Sequence, residues 1–316
     1  MRKSLAVLAL LLAGTASAGQ LRPPQPAAAQ SAEDAKLRKL FADSDEASLR
    51  RNPINGIFRG DLRYADRLGN YYTDAYTAAE RAAVVSDLAA IRRIDRARLN
   101  RVNQIAYDVF LADQTRALKS FAPGVQRVVK YLPMDHFSGF QSFYPDFASG
   151  QGAAPFKTVL GYENNLKRNA EYASTYDRVI GLFREGMKRR IVQPKLVVRN
   201  MIGQFEKLDA QGVEGSVFYA PVKTFPDGIS AADQARLRAA YARQVRDVIV
   251  PAHRKMRDFL ANEYLPAARD SVGLSALPGG AALYAHAIES NTTLQLSAEY
   301  VHQLGLSEVA RIRAEM

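Results

Sequence analysis

The chain has four histidines, His136, His253, His286 and His302, and no cysteine. Thiol nucleophiles, thiolate metal sites and disulfides are therefore excluded. None of the histidines sits in a His-Glu-x-x-His pattern, which sets two metal ligands one helical turn apart around a general-base glutamate. The nearest arrangement is Glu299-Tyr-Val-His302. A Glu-x-x-His pair shares one helix face and occurs in di-iron bundles, but those need a second copy and further carboxylates. A single copy reads as a surface glutamate near a hydrogen-bonded histidine. There is no Gly-x-Ser-x-Gly elbow and no phosphate-cradling Gly-Lys-Ser/Thr loop, and Gly150-Gln-Gly152 is too short for a dinucleotide loop. The carboxylates are scattered, so paired-carboxylate catalysis has no support in their spacing. The residues predict no catalytic or metal site complete within this chain.

The elements that would position any such residues read as helices. Ser31-Ala-Glu-Asp34 resembles a capping box and opens a short helix carrying Leu37, Leu40 and Phe41. Asn52-Pro53 ends a second short helix, and residues 55–76 read as a loop rich in Gly, Asp, Arg and Tyr. Two longer helices follow, one from Thr77 with Ala82, Val85, Leu88 and Ile91 in phase, one with Val102, Ile105, Ala106, Val109 and Phe110. Between Phe121 and Phe156 the period stops. Phe137, Phe140, Phe143, Tyr144 and Phe147 are interleaved with Pro and Gly, so 131–156 reads as an aromatic-rich loop, packed by its own rings or facing a ligand. Helical period returns from Phe156 to about Leu208, with breaks near Ala173 and before Pro194. Ser230 caps a long helix that Pro251 kinks or splits. Leu277-Pro-Gly-Gly280 is a turn, Ser297 opens a short helix that Gly305 closes, and Ser307 opens a last one. With no period-two series the fold class is all-α, a multi-helix array with long loops.

The N-terminus reads as a signal peptide over residues 1–18. Arg2 and Lys3 precede an apolar core from Leu5 to Ala13, and Ala16-Ser-Ala18 gives the small-x-small cleavage pattern. The apolar run is shorter than the roughly 20 residues needed to span a bilayer, so no stable membrane insertion is expected once it is removed. Residues 19–32 read as a flexible Pro-, Ala- and Gln-rich leader, and 33–316 as one helical domain. The expected location is periplasmic or secreted. Net charge is +11, or +9 once Arg2 and Lys3 are lost. The densest basic stretches, Arg92 to Arg101 and Lys188 to Arg199, are broken by apolar residues at helical spacing and read as solvated helix faces. No nucleic-acid module accompanies them, so nucleic acid is not an expected partner.

Several stretches, in order, carry a family resemblance. They are Asn52-Pro-Ile-Asn-Gly56 with Phe58-Arg-Gly-Asp-Leu-Arg63, Ile191-Val-Gln-Pro-Lys195, Tyr264-Leu-Pro-Ala-Ala-Arg269 into Val272-Gly-Leu274, Leu277-Pro-Gly-Gly280 with Tyr284, Thr292-Thr293, and Glu299 to Val309. Together they resemble the N-terminal half of the bacterial domain-of-unknown-function 885 proteins, over nearly everything after Asp34. One departure is Arg190, where the family tends to have Gly; it suggests a helix that ends without a left-handed glycine cap. Members are similar to gluzincin metallopeptidases, helical and often exported, with a His-Glu-x-x-Pro-Gly-His motif in the second half. The resemblance implies zinc for the full-length protein, a glutamate that activates water and a peptide-like substrate. It also implies that this chain stops before those ligands and is inactive alone. Under it, Gly279, Gly280, Tyr284 and His302 are the substrate-cleft candidates. The glycines let backbone approach a ligand, and Tyr284 is one turn further, as a donor to a polarised carbonyl oxygen. The alternative for that segment is a plain helix-to-helix turn with Tyr284 in the core. The alternative for the whole chain is a non-catalytic helical envelope binding or interaction protein.

Overall fold

The computed structural model describes residues 31–316. The signal peptide, its cleavage residues Ala16 and Ala18, and the leader as far as residue 30 lie outside the described residues. The N-terminal part comprises α1 (Ala32–Arg51), α2 (Pro53–Phe58), α3 (Asp74–Ile91), α4 (Arg101–Ser120), α5 (Pro123–Val129) and α6 (Phe140–Ala148). The central part holds the 30-residue α7 (Val159–Lys188), α8 (Lys195–Asp209) and the one-turn α9 (Gly212–Gly215). Then come α10 (Ala231–Gln244), α11 (Val250–Phe259), α12 (Leu265–Ala267), α13 (Gly280–Thr292) and α14 (Ala298–Glu315). Among the described residues the only β pairing is an isolated bridge between Pro194 and Arg269, so the chain is all-α.

Side-chain caps set six of the fourteen helix starts among the described residues. Ser31, Thr73, Asn100, Thr158, Ser230 and Ser297 each accept a backbone N–H of the first turn that has no partner within its own helix. At Ser31 the capping box is complete, and Asp34 also reaches across to accept from Asn103 Nδ2 at 2.7 Å and Asn100 N at 3.2 Å. The start of α1 is thereby tied to the start of α4, over a small core of Leu37, Ile91, Ile94, Leu99 and Tyr107. The main core lies around α7, which packs on α6, α10 and α11. It gathers Tyr144, Tyr172, Tyr176, Phe183, Met201, Phe205, Met256 and Tyr264.

Several expected boundaries are corrected. α1 is one helix through Arg51 rather than two, and α2 occupies the first part of the supposed 55–76 loop. α7 runs through Ala173 without a break, because Tyr172, Ala173, Thr175 and Tyr176 are all buried against neighbours and tertiary packing outweighs weak local propensity. α14 passes through Gly305 and Ser307 as a single helix, with Gly305 in open space. The 131–156 stretch is not all loop: α6 lies inside it, with Phe140, Tyr144 and Phe147 buried and Phe137 exposed. Pro145 and the flanking glycines had hidden its period. Residues 231–267 are continuously helical, and Pro251 does not split them. A π segment, Val245–Ile249, immediately precedes Val250-Pro251, and a second, Leu260–Tyr264, precedes Leu265-Pro266. In each case the backbone N–H before the proline bonds five residues back, so the wider turn absorbs a residue that can donate nothing.

The helix ahead of Ile191 ends without a glycine cap, as the departure at position 190 suggests, but not without a left-handed residue. Arg190 has φ 58°, so α7 does end in a left-handed residue, supplied by arginine. The closing bonds, Arg190 N to Met187 O at 3.1 Å and Ile191 N to Gly186 O at 2.9 Å, require it.

Two side chains of α7, one turn apart, hold the segment between α2 and α3 from beneath. The buried Arg168 guanidinium donates to the Ala65 carbonyl and, at 3.1 Å, to Asn165 Oδ1. Glu171 accepts from Leu68 N at 2.7 Å and Gly69 N at 3.3 Å. Further along α7, Tyr176 donates to Tyr172 at 2.6 Å, and the Tyr172 oxygen lies 2.9 Å from His253 Nε2. Because Tyr172 already accepts from Tyr176, its proton goes to Nε2, and the network assigns the ring proton of a neutral His253 to Nδ1.

Two predictions follow from this packing. Replacing Arg190 with Gly should raise stability by about 1 kcal/mol, seen as a thermal midpoint about 2–4 °C higher, since only the left-handed cost of a side chain is removed; an unchanged midpoint would mean the end of α7 is not held in this conformation. His253 is held to about 4 by burial, against 6.5 in an unfolded chain. Its contribution is fully present above about pH 6.5 and is lost as pH falls toward 4, because the unfolded state takes up a proton that the folded state refuses. Between those limits wild type should lose up to about 3 kcal/mol more than His253→Gln, measured by urea unfolding across pH. Parallel pH profiles would show that His253 is charged in the core.

Candidate functional site

The segment pinned by Arg168 and Glu171 leads directly into a tyrosine-lined recess. After Gly69, Tyr71 and Tyr72 turn back over α6, and Thr73 caps α3. Tyr72 has φ 63°. That is a left-handed conformation rare for a bulky side chain, costing on the order of 1–3 kcal/mol, and it persists only where the surroundings impose it. Here the ring stands edge-on to Phe140, with centroids 5.9 Å apart. Tyr71 packs on Phe140 at 5.5 Å and edge-on to Tyr76 at 5.1 Å, and Tyr76 donates to Asn52 Oδ1 at 2.6 Å.

The recess encloses about 260 Å³ between these rings, the end of α5 and Leu182 of α7, with Lys130 and Asp74 ion-paired at 2.6 Å among its lining residues. Burial pushes the Tyr72 and Tyr76 phenols up to about 12 and raises Tyr71 as well. All three are therefore protonated donors at neutral pH. The Tyr71 and Tyr72 hydroxyls have no hydrogen-bond partner among the described residues. An apolar wall with two uncommitted donors suits a ring-sized group that carries an acceptor. The sequence reading missed this recess; its trace was three tyrosines within residues 71–76, in what looked like a loop.

The predicted cleft residues are only partly brought together. Gly279, at φ 88°, precedes the first turn of α13. At Gly280 a side chain would meet the Leu274 carbonyl at 1.7 Å, so this glycine is required by the fold of the 274–280 turn itself. Pro278 borders a groove with Gln126 and Lys130, two residues that also line the tyrosine recess. Tyr284 is 43% exposed rather than in the core. It lines a separate recess of about 470 Å³ between α13 and the start of α14, with Leu274, Ile288 and Leu296. His302 is exposed on α14 and lines none of these recesses.

The other histidines have separate surroundings. His253 belongs to the buried tyrosine network, His286 Nε2 is 3.3 Å from Ser290 Oγ, and His136 stacks near Phe137. Glu299 accepts from Gln303 at 2.7 Å. Among the described residues no group of three or more His, Asp or Glu is placed to hold a metal ion, and no helix is long and apolar enough to cross a membrane.

Comparison with known proteins gives a family and a fold. The model of a family described as bacterial proteins of unknown function (DUF885) matches residues 53–316. No curated protein matches the chain. Among solved structures, one described as "the putative lipoprotein from Colwellia psychrerythraea" superposes with a TM-score of 0.74 at 16% identity. The match covers 90% of this chain and 50% of that one, so the chain spans half the length of its structural neighbour.

Gly280→Ala should destabilise by about 1–3 kcal/mol, because the new methyl meets backbone that cannot rotate away. Its measurement is a urea unfolding curve, and a loss below about 0.5 kcal/mol would show that the 274–280 turn is not packed as described.

Proposed function

The chain belongs to the DUF885 family, and from that premise we propose that it is the N-terminal portion of an exported, zinc-dependent, peptidase-like hydrolase. The described residues do not themselves fit a zinc ion, so under this reading the metal ligands lie elsewhere in the protein and this chain supplies the outer helices and part of the cleft wall. The observation that carries the reading is the uncovered apolar surface of α13 and α14. Tyr284, Tyr300, Leu304, Val309 and Ile312 are each 43–55% exposed, and α14 buries none of its residues, an amount of exposed apolar side chain that suits a helix covered by another part of a protein. The half-length match to a structural neighbour supports the same reading. The signal-like N-terminus, together with that neighbour's description as a lipoprotein, supports export to the envelope.

In such an enzyme the stretch from Leu277 to His302, with Gly279, Gly280, Tyr284 and His302, borders the peptide-like substrate. Tyr284, exposed on α13, would be the hydroxyl that donates to a carbonyl oxygen as negative charge develops. A second reading, a non-catalytic envelope binding protein, is favoured by the tyrosine recess, whose two free hydroxyls are formed by residues of this chain alone.

The two readings separate on the full natural product of the gene that encodes this chain. The first expects one equivalent of zinc by metal analysis and cleavage of peptides, both lost to a chelator. Tyr284→Phe in that protein should lower turnover about 100-fold, the effect of removing an oxyanion donor, with the thermal midpoint unchanged. Full activity with a lowered midpoint would make Tyr284 a packing residue. A natural product that holds no zinc and cleaves no peptide would overturn the hydrolase reading and leave the binding protein.

A further inference from the structure

A second recess, of about 420 Å³, lies on the other side of Tyr76 from the tyrosine pocket and is walled by four arginines. Arg50 and Arg51 come from the last turn of α1, Arg67 from the segment before α3, and Arg178 from α7. Four guanidinium groups from three elements repel one another unless acids or a ligand compensate, so the state of each decides what the recess can hold.

The acids nearby engage these arginines mainly through Nε. Arg51 Nε pairs with Glu80 at 2.7 Å, and Arg50 Nε with Glu46 at 3.0 Å and Tyr64 at 3.1 Å. Arg67 approaches only Asp66, at 3.6 Å, beyond hydrogen-bond distance, while its guanidinium lies over the Tyr64 ring. Among the described residues Arg178 has no carboxylate within ion-pair distance. One terminal nitrogen donates to Thr175 Oγ1 at 3.2 Å, and its Nε is shielded from solvent with no partner among those residues. The terminal nitrogens of Arg50, Arg51 and Arg67 make no hydrogen bond among the described residues. One carboxylate, Glu171, also lines the recess; its Oε2 accepts from Leu68 N and Gly69 N, and its single negative charge offsets only one of the four guanidinium charges.

We propose that this recess is a binding site for an oxyanion group, phosphate or carboxylate, carried on a larger molecule. Guanidinium forks match both groups in geometry, and charge-assisted bonds from them are about twice as strong as neutral ones. The volume exceeds that of a bare ion, so the anion is one end of the ligand. The assignment does not depend on the hydrolase reading, because every residue it uses belongs to this chain.

The test uses the mature chain and two probes, inorganic phosphate and succinate, titrated calorimetrically against sodium chloride of equal ionic strength. Binding of phosphate alone identifies a phosphoryl ligand, binding of succinate alone a carboxylate, and binding of both a general oxyanion site. In each case Arg67→Gln and Arg178→Gln should each weaken binding about tenfold or more, the loss expected for a charged hydrogen bond, while Arg311→Gln on α14 leaves it unchanged. Circular dichroism and the thermal midpoint check that the variants remain folded; should Arg178→Gln unfold the chain, Arg67→Gln alone decides. Heats no larger than those from sodium chloride, or undiminished binding to the variants, would overturn the site.

Discussion

Arg168 cannot shed its charge at any physiological pH, yet it is fully buried and among the described residues no carboxylate lies within ion-pair distance of it. Burial lowers its affinity for the proton without removing it, so neutral oxygens must hold the cation. The Ala65 carbonyl and the Asn165 amide do so, and Phe147 faces the guanidinium at 5.7 Å. One turn along the helix, Glu171 presents the opposite charge to the Leu68 and Gly69 amides. A cation on a carbonyl and an anion on two amides form a clamp of both signs on one short stretch of backbone. That stretch leads into Tyr71 and Tyr72 and carries Arg67, so both recesses inherit their walls from α7.

The buried polar groups of α7 also explain why it is continuous. Asn165, Arg168, Asn169 and Thr175 are buried, and each such group must be bonded or the protein loses the cost of its desolvation. Asn169 is met by Tyr144 at 3.0 Å and by Gln244 at 3.1 Å, and Asn165 by Tyr241 at 3.2 Å. Those partners come from α6 and α10. The sequence reading places a break near Ala173. The chain instead keeps the helix, answers Asn165, Arg168 and Asn169 from other elements, and bonds Thr175 to the Glu171 carbonyl within α7 itself.

What was legible is what depends on nearest neighbours. Ser31, Ser230 and Ser297 announce their helix starts because a cap needs only one oxygen and one turn of backbone. The all-α class and the 277–280 turn were legible for the same reason, and the order of motifs pointed to the family that the match over residues 53–316 establishes. Proline and glycine misled wherever context changed their meaning. Pro251 follows a π segment and so interrupts nothing, Pro145 sits inside α6, and Gly305 sits inside α14. The reverse case is Arg190, a left-handed position with no glycine to mark it.

Neither recess could have been read from spacing. Tyr72 is left-handed without the Gly or Asn that normally signals it, and its conformation is imposed by the clamp below and Phe140 behind. The arginine recess joins residues from α1, the 59–73 segment and α7, none of which forms a basic run. The densest runs, around Arg92 and Lys188, contribute only Arg189 to a described recess, the groove beside Pro278. Local charge density is a poor guide because a solvated arginine pairs with whatever acid is nearest, as Arg189 does with Glu185. A binding arginine is instead one whose fork the fold leaves uncommitted, and commitment is settled in three dimensions. Tyr76 borders both recesses, fixed through its hydroxyl to Asn52 at the junction of α1 and α2. A displacement of that ring changes the aromatic and the cationic wall together, so the two recesses are physically one framework held by a single pair of charges on α7.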